Sequence, residues 1–597
     1  MAYFWMSRKR NIPLHGLKNR KSIQMKKKLL HILLLVIAIA LSIKVAAQSA
    51  LYGSQSASSP KREVRAVWLT TIGGLDWPHS YAQSARSIEK QKTELRNLLD
   101  KLKQANINTV LMQTRIRGTV IYPSAIEPWD GCMSGRPGTS PGYDPLAFAI
   151  EECHKRGMEL HAWIVSVPIG RANGAGVRNL KGKHPELVQK IGDEFFMRPE
   201  KDGTARYIAD LCREIVRGYD VDGIHLDYIR YPEMQKLTIS RQQARNNISN
   251  IVQQVSYAVK QEKPWVKMSC SPIGKRNDLS RFWSRGWNAE EKGCQDVGRW
   301  TREGWMDQLY PMMYFRGDQF FPFVADWQEQ SHGRTVTAGL GIYFLSPKEA
   351  NWPEEDVERE MFVCRNMGVG TAFFRNKFFV DNTKGIYSFT ANEFNTYPAL
   401  VPEMTWYSHP APLAPCNLRV KTTGESTEIA WDESQGAWNG SRMVQGSAQN
   451  PVVFYNVYGS DTWPVDVNDA RNIIAQRVKG SRFTMPKSAI FSHFAVTAVD
   501  RFGKESAALT MDSPSGEAAP LCATLLRNDG NTLQMPEKPQ GLDADFIVFE
   551  TATGVSYATK PYARTINVAN IPGGVYQLRS LSAKGKTHRI GWAYIKK

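Results

Sequence analysis

The sequence predicts an α/β fold, a (β/α)8 barrel of the TIM type followed by two small all-β, immunoglobulin-like domains. Three observations predict it. Between Arg65 and Arg375, short β-branched or aromatic runs alternate with amphipathic helical stretches, as consecutive β-α units around a parallel sheet require. Eight such runs can be counted, which is the number that closes a barrel. Beyond the stretch Tyr397 to Pro415, with prolines at 398, 402, 410, 412 and 415, helical periodicity stops and short alternating strands take over.

The eight expected strands are Ala66 to Thr71, Thr109 to Thr114, Glu159 to Val165, Gly223 to Ile229, Val266 to Ser271, Gln308 to Phe315, Thr335 to Tyr343 and Gly370 to Arg375. Between them, Ser87 to Gln104 carries Ile88, Leu95, Leu98, Leu99 and Leu102 at helical spacing, and Asn106 marks its stop. Similar helices are expected near Pro145 to Arg156, Ala205 to Tyr219, Arg241 to Glu262 and Glu354 to Asn366. After the Pro-rich boundary the expected strands include Asn417 to Lys421, Thr427 to Trp431, Val452 to Tyr458 and His493 to Val499.

The chain of 597 residues thus divides into an N-terminal basic extension and export signal (1–47), the barrel (60–400), a first β domain (412–512) and a C-terminal β-rich domain (518–597). Its formal charge of +19 does not point to nucleic acid. Ten basic residues and no acidic one precede Ala47, so the remainder carries +9. Lys26 to Lys28 form a basic n-region, Leu29 to Ile43 an apolar h-region, and Val45-Ala46-Ala47 a small-residue cleavage site. The protein is therefore expected to be exported, whether periplasmic, outer-membrane-associated or secreted. The eight cysteines are dispersed, with no CxxC pair and no His partners at zinc spacing. No GxxxxGK(S/T) loop, no GxGxxG after a strand and no HExxH occurs, so no cofactor or catalytic metal is expected.

The densest polar cluster on any strand runs from Asp220 through Asp222, His225, Asp227 and Arg230 to Pro232. Alternate residues of a strand share a face, so His225 and Asp227 point one way while Ile224 and Leu226 point into the helix layer. Asp227 then lies near the top of the barrel facing inward, where active sites of this fold are built. Arg230 and His225 are close enough in sequence to set its ionisation. The competing reading is an Asp-Arg pair that only fixes the strand-loop junction. Asp222 reads as a cap or turn residue, and His225 taken alone as a satisfied core histidine.

From Arg65 to about Arg375 the chain resembles the glycoside hydrolase family 10-like group of bacterial exported proteins. The matching pieces, in order, are Arg65-Ala66-Val67-Trp68-Leu69-Thr70-Thr71 with Asp76-Trp77-Pro78, Asn108-Thr109-Val110 leading to Gln113-Thr114-Arg115, and Tyr122-Pro123-Ser124 with Glu127-Pro128-Trp129. Asp144-Pro145-Leu146, Arg156 to Trp163, the cluster around Asp227, and Gln308 to Tyr314 follow. The resemblance implies hydrolysis of a polysaccharide, with peptidoglycan glycan strands as one substrate class. Two departures stand out. Tyr228 occupies the place directly after Asp227 where many relatives carry a second acid, and Ile164-Val165-Ser166-Val167-Pro168 replaces an Asn-Pro pair.

Glycosidic cleavage needs two carboxyl groups across the bond. Asp227 is the first candidate catalytic residue and Glu127 the second. Glu303 and Asp307 flank the start of the sixth strand and read as structural; Asp326 and Asp76 are further acids in the region. His225, Arg230, Trp163, Arg115, Trp77, Tyr314 and Arg375 are the expected substrate-binding residues. The aromatics among them, with Trp68, Trp129, Tyr231, Tyr310 and Tyr343, offer flat faces to pyranose rings, and Arg115 and Arg375 could bind an acidic substituent. The alternative function is a non-catalytic carbohydrate-binding or cell-surface scaffold protein, and neither reading fixes an oligomeric state.

Trp431, Tyr455, Tyr458 and the run Ala498 to Ser506 make the first β domain look like a fibronectin type III domain. The C-terminal segment, with Ile571-Pro572-Gly573-Gly574-Val575-Tyr576 and Lys584-Gly585-Lys586, resembles the sorting domains of secreted Bacteroidetes proteins; its alternative is a plain immunoglobulin-like module that packs against its neighbour, and cell-envelope association is a further expectation for the exported chain.

Overall fold

The computed structural model describes residues 59–285, 287–409, 411–412, 414–432, 454–486, 491–512, 525–538, 544–551, 556–583 and 587–597. The export segment, Cys522 and the turn at 584–586 lie outside the described residues. Eight parallel strands close a barrel: β1 (Arg65–Leu69), β2 (Thr109–Arg115), β3 (Glu159–Val165), β4 (Gly223–Asp227), β5 (Lys267–Cys270), β6 (Gln308–Leu309), β7 (Thr335–Leu340) and β8 (Gly370–Phe373). Each pairs with its neighbours in sequence, and β8 closes on β1 through Ala66↔Ala372.

Strand alternation sorts the side chains into two cores. Trp68, Leu111, Trp163, Val165, Tyr310 and Ala372 pack together inside the barrel. Val67, Val110, Met112, Leu160, Ile164, Ile224, Leu226 and Met268 face the surrounding helices in a second, larger cluster. The helices begin where local chemistry lets them. Ser84 and Ser87 form a capping box for helix Ala85–Gln104, Asp144 caps Pro145–Lys155 by accepting from Ala147 N at 3.0 Å, and Ser240 caps Arg241–Glu262. Asn106, at φ +53°, turns the chain out of the first helix in the left-handed region that Asn tolerates.

Six of the eight strands are shorter than the pattern predicts, and in three the local cause is visible. β4 stops at Asp227 because Tyr228 adopts φ +50°, outside the extended region. β6 pairs regularly only at Gln308–Leu309, since Pro311 has no N–H to give the ladder; pairing resumes at isolated bridges of Met312 to Ile273 and Gly339. β7 gives way at Gly341 to a 3-10 turn, Ile342–Leu345. The loop after β3 also carries a small three-stranded sheet, Pro168–Arg171, Glu194–Met197 and Val188–Ile191, that the sequence pattern does not predict.

Beyond the barrel, strands Cys416–Thr423, Ser426–Asp432 and Arg482–Pro486 form one sheet. Ile473–Val478, Phe454–Ser460, His493–Val499 and Leu509–Asp512 form a second. Trp431, Tyr455, Val457 and Phe494 fill the space between them. A seven-stranded sheet follows, ordered Ser556–Pro561, Phe546–Glu550, Gly574–Leu581, Thr587–Ile595, Leu526–Asp529, Thr532–Gln534 and Thr565–Asn567.

The two-sheet domain docks on the end of the barrel where the strands begin. Arg477 donates to Glu159 at 3.0 Å and also bonds Asp222, so Asp222 is a docking residue as well as a junction residue. Trp406 donates to Asp307 Oδ1 at 2.8 Å, and Lys61 and Arg62 both pair with Glu505. This arrangement leaves the opposite rim, where the strands end, to the barrel's own loops. Among the described residues, seven cysteines are free thiols, six of them buried and Cys416 exposed.

Candidate active site

Asp227 is the last residue of β4, and its register partner Val165 lies in the inner cluster, so its side chain faces the inside of the barrel at the rim. Three donors hold it. Trp163 Nε1 donates to Oδ2 at 3.0 Å; Ser271 Oγ and the Tyr228 backbone N–H donate to Oδ1 at 2.7 and 2.8 Å. Both acceptor positions on Oδ1 are thereby filled, while Oδ2 keeps one. Burial, which leaves the residue 5% exposed, pushes the carboxyl above its ordinary range against the pull of Arg230 and these donors. A proton on this group therefore belongs on the open side of Oδ2.

Ser271, just past β5, is a site residue that sequence reasoning missed; one serine at a strand end leaves no pattern to find. Tyr314 is half-buried, stacks on Phe374 at 5.4 Å and meets Tyr343 edge-on at 5.8 Å. Burial and the charge of Asp227 push its phenol well up, so it stays protonated beside the carboxyl. Arg230 lies over the Tyr228 ring at 4.2 Å and donates to Glu233 Oε1 through Nε and Nη2, while Nη1 is buried without a partner. Although burial opposes it, the Arg230 charge holds the Glu233 carboxyl below its usual range. One arginine thus faces a carboxyl pushed up and a carboxyl pushed down.

Five of the expected site residues, Glu127, Arg115, His225, Trp77 and Arg375, are engaged by partners other than Asp227. Glu127 and Arg115 form a buried ion pair: Arg115 donates to both carboxylate oxygens at 2.7 to 3.0 Å and to the Ser166 carbonyl at 2.8 Å, and Tyr207 OH adds 3.1 Å to Glu127. A register shift between Gln113 and Arg115 aligns Arg115 with the outward Ile164, and Tyr207 of helix Asp202–Gly218 joins the pair. Each of the two charges is thus already paired by the other. His225 is fully buried inside the barrel. Its Nε2 accepts from Trp68 Nε1 at 3.2 Å and its Nδ1 donates to Ser269 Oγ at 3.0 Å; with burial, this keeps the ring neutral. Trp77 is also fully buried, its Nε1 donating to the Gln91 carbonyl at 2.9 Å, and serves as packing between rim and helix.

Arg375 is tied to Asp76 and donates to the Leu75 carbonyl at 2.9 Å, so its charge is already paired. Asp76 accepts from Thr70 N at 2.7 Å and Lys377 N at 2.9 Å, which makes it a clasp between the ends of β1 and β8. Asp307 accepts from Met268 N at 2.8 Å and Lys260 at 2.6 Å, and Asp326 pairs with Arg276; both are structural. Among the described residues, no cluster of three or more His, Cys, Asp or Glu is arranged to hold a metal ion. None of their helices is long and apolar enough to cross a membrane.

Known proteins share this framework. The chain is 30% identical over 391 residues to the glycosyl hydrolase YngK of Bacillus subtilis (strain 168), covering 59% of this chain and 76% of that protein. It is 29% identical over 342 residues to the glycosyl hydrolase DigH of Escherichia coli (strain K12), covering 51% of this chain and 77% of that one. Among solved structures, the glycoside hydrolase domain of PgaB (BpsB) from Bordetella bronchiseptica matches with a TM-score of 0.38 and 14% identity over 55% of this chain and 98% of that one, too distant a likeness to carry an argument. The profile of the glycosyl hydrolase-like 10 family matches residues 63–238 and 234–338, the part of the chain that holds β1 to β6, the start of β7, and Asp227. With the barrel, the rim carboxyl and these relatives together, the chain belongs to the glycosyl hydrolase-like 10 family.

Proposed function

We propose that this protein hydrolyses glycosidic bonds in an extracytoplasmic polysaccharide, with Asp227 as the general acid. The observation that carries the proposal is the state of Asp227: an inward rim carboxyl, oriented by Trp163, Ser271 and Tyr228 N, raised by burial toward the protonated form. A general acid must hold its proton near neutral pH and release it to the leaving oxygen. Oδ2, which keeps one hydrogen-bond position free, is the oxygen from which such a proton would be given. As the bond to the anomeric carbon breaks, the proton passes to the glycosidic oxygen, Asp227 becomes a carboxylate stabilised by its three donors, and the oxygen of a water molecule takes the place on the anomeric carbon. For the second carboxyl we infer Glu233 in place of Glu127, because Arg230 keeps it ionised and its side chain is 42% exposed.

The names of YngK and DigH support hydrolysis of a glycan. Peptidoglycan glycan strands remain the substrate class that the family resemblance suggests, and the charge pattern before Ala47 supports export. The two sheets of 416–512, three strands against four, support the fibronectin type III reading, in which the module holds the barrel from below. A second reading is a carbohydrate-binding protein without hydrolysis. It is favoured by one observation: Tyr228 stands directly after Asp227, where many relatives carry a second acid.

Incubating the protein and its Asp227→Asn variant with peptidoglycan and a glycan panel, and measuring new reducing ends, tests this. Release by the unsubstituted protein that falls by about 10²- to 10⁴-fold in the variant supports the enzyme. Binding without release by either protein supports the second reading.

A further inference from the structure

The loop that follows β5 rises from the residue that fixes Asp227. Its root, Ser271, donates to Asp227 Oδ1, and Ile273 N donates to Gln295 Oε1 at 3.0 Å. Lys275, 1% exposed, is bonded to Gln319 and lies over Phe315 at 4.3 Å and Phe323 at 4.8 Å. Ala289 N returns to the Lys275 carbonyl at 2.8 Å and closes the base. Between these anchors the sequence places Arg281, Trp283, Arg285 and Trp287 at alternate positions.

All four are exposed. Trp283 shows 71% of its surface and Trp287 37%, among the few large apolar side chains so open in the described residues. Arg281 and Arg285 are exposed as well, and among the described residues neither has a carboxylate within ion-pair distance. The nearest acid on the loop, Asp278, is occupied: it accepts from Ser284 N at 2.8 Å and Ser284 Oγ at 2.5 Å. Lys275 is held down to about 8, first by burial and then by the Arg285 charge. Two uncompensated guanidiniums and two open indoles therefore lie on a loop tethered at both ends. Tethering lowers the ordering cost of binding.

The charge sign selects the occupant. A neutral sugar would use only the indoles, and the arginines would be idle. An apolar protein partner would have to desolvate both charges without pairing them. A sugar carboxylate pairs with a guanidinium fork while the pyranose ring lies on an indole, so both residue types are used together. The two arginines that sequence alone marked for an acidic substituent, Arg115 and Arg375, are already neutralised by Glu127 and Asp76.

We propose that Arg281, Trp283, Arg285 and Trp287 form a binding site for acidic sugar residues of a glycan, with Arg281 and Arg285 pairing sugar carboxylates and Trp283 and Trp287 stacking on the rings. The proposal rests on the glycan reading of Asp227 for its ligand class, and on the loop itself for the preference for charge. Such a site feeds an acidic chain toward the rim rather than performing chemistry.

The test is calorimetric titration of the full chain carrying Asp227→Asn, so that nothing is cleaved. The ligands are an oligogalacturonate and the same oligosaccharide with its carboxylates reduced to alcohols. The acidic form is expected to bind about fivefold to tenfold more tightly, and that advantage should vanish in the Arg281→Gln, Arg285→Gln double variant. It should also fade between about 0.05 and 0.5 M salt, as exposed charge pairs do. Trp283→Ala should weaken both forms by similar factors. Equal affinity for the two forms, or a preference that survives loss of both arginines, overturns the proposal. So does arginine-dependent binding to phosphatidylglycerol vesicles with no binding to either sugar, which would assign the loop to a membrane surface.

Because the readout is binding, the two readings fail separately. A protein that cleaves neutral glycans without any acidic preference retires this site and keeps the hydrolase. One that prefers the acidic form yet releases no reducing ends from any glycan retires the hydrolase and keeps the site.

Discussion

Trp163 and Asp227 meet across adjacent parallel strands, the indole N–H donating to Oδ2 at 3.0 Å, because the register that aligns Val165 with Asp227 places Trp163 one inward position below it. The bond stabilises the carboxylate and so opposes the burial that raises its pKa. Trp163→Phe keeps the ring and removes the donor. The acid form should then persist to higher pH, and the basic limb of the pH–rate profile should move upward, with kcat lower near neutrality because the conjugate base is less stabilised. A limb that stays in place or moves down would show that Asp227 is not the titrating acid.

His225 makes a different pH statement. With Trp68 able only to donate to Nε2, the folded ring must be neutral, and burial holds its pKa well below the usual value. A His whose folded pKa is depressed lets the unfolded chain bind the extra proton, so its stability contribution is present above about pH 6.5 and is lost as pH falls below it. His225→Gln should therefore flatten the fall in thermal midpoint between neutral and mildly acidic pH while lowering the midpoint at neutral pH. Unchanged steepness in the variant would remove His225 from the account.

The seam beneath the barrel offers a stability test remote from the rim. Against the cost of burial, Lys267 and Arg477 hold Glu159 below the usual carboxylate range, and Arg477 and His154 do the same for Asp222. Depressed carboxylates stabilise above their unfolded pKa of about 4, and that stability is lost as pH falls further. Arg477→Met removes one cation from two buried anions and should cost about 3 kcal/mol. Chemical denaturation measures it, and Arg477→Met should also blunt the acid sensitivity between about pH 4 and 2.

The eight strands were readable because short β-branched or aromatic runs alternate with helical stretches, and the direction of Asp227 was readable because alternate residues along its strand share a face. What stayed hidden follows from departures from strand alternation. The register shift before Arg115 turns a residue expected inside to the helix side, and with it Glu127. The positive φ of Tyr228 ends β4 two residues early. Ser271 and Gln113, whose Oε1 accepts from Thr71 N and Ile72 N at 3.0 and 2.8 Å, act through contacts between strands that no single run encodes. The Arg281 to Trp287 alternation was present in the sequence, but a loop gives no face against which to judge exposure.

The second carboxyl is the point on which Glu127 and Glu233 part company. Glu127 has Arg115 on both oxygens and Tyr207 besides, all buried, so Glu127→Gln should act on folding: a buried arginine loses its counter-charge, and the cost should be about 3 kcal/mol. Glu233 meets solvent, and its charge is maintained by Arg230 within reach of the Asp227 field. Glu233→Gln should leave the thermal midpoint nearly unchanged, since partly exposed pairs contribute little, while lowering kcat by at least about 100-fold with KM little altered if it serves as base or nucleophile. If instead Glu233→Gln retains full turnover, its carboxylate only steadies Arg230, and the water or sugar must be activated from another side of the groove.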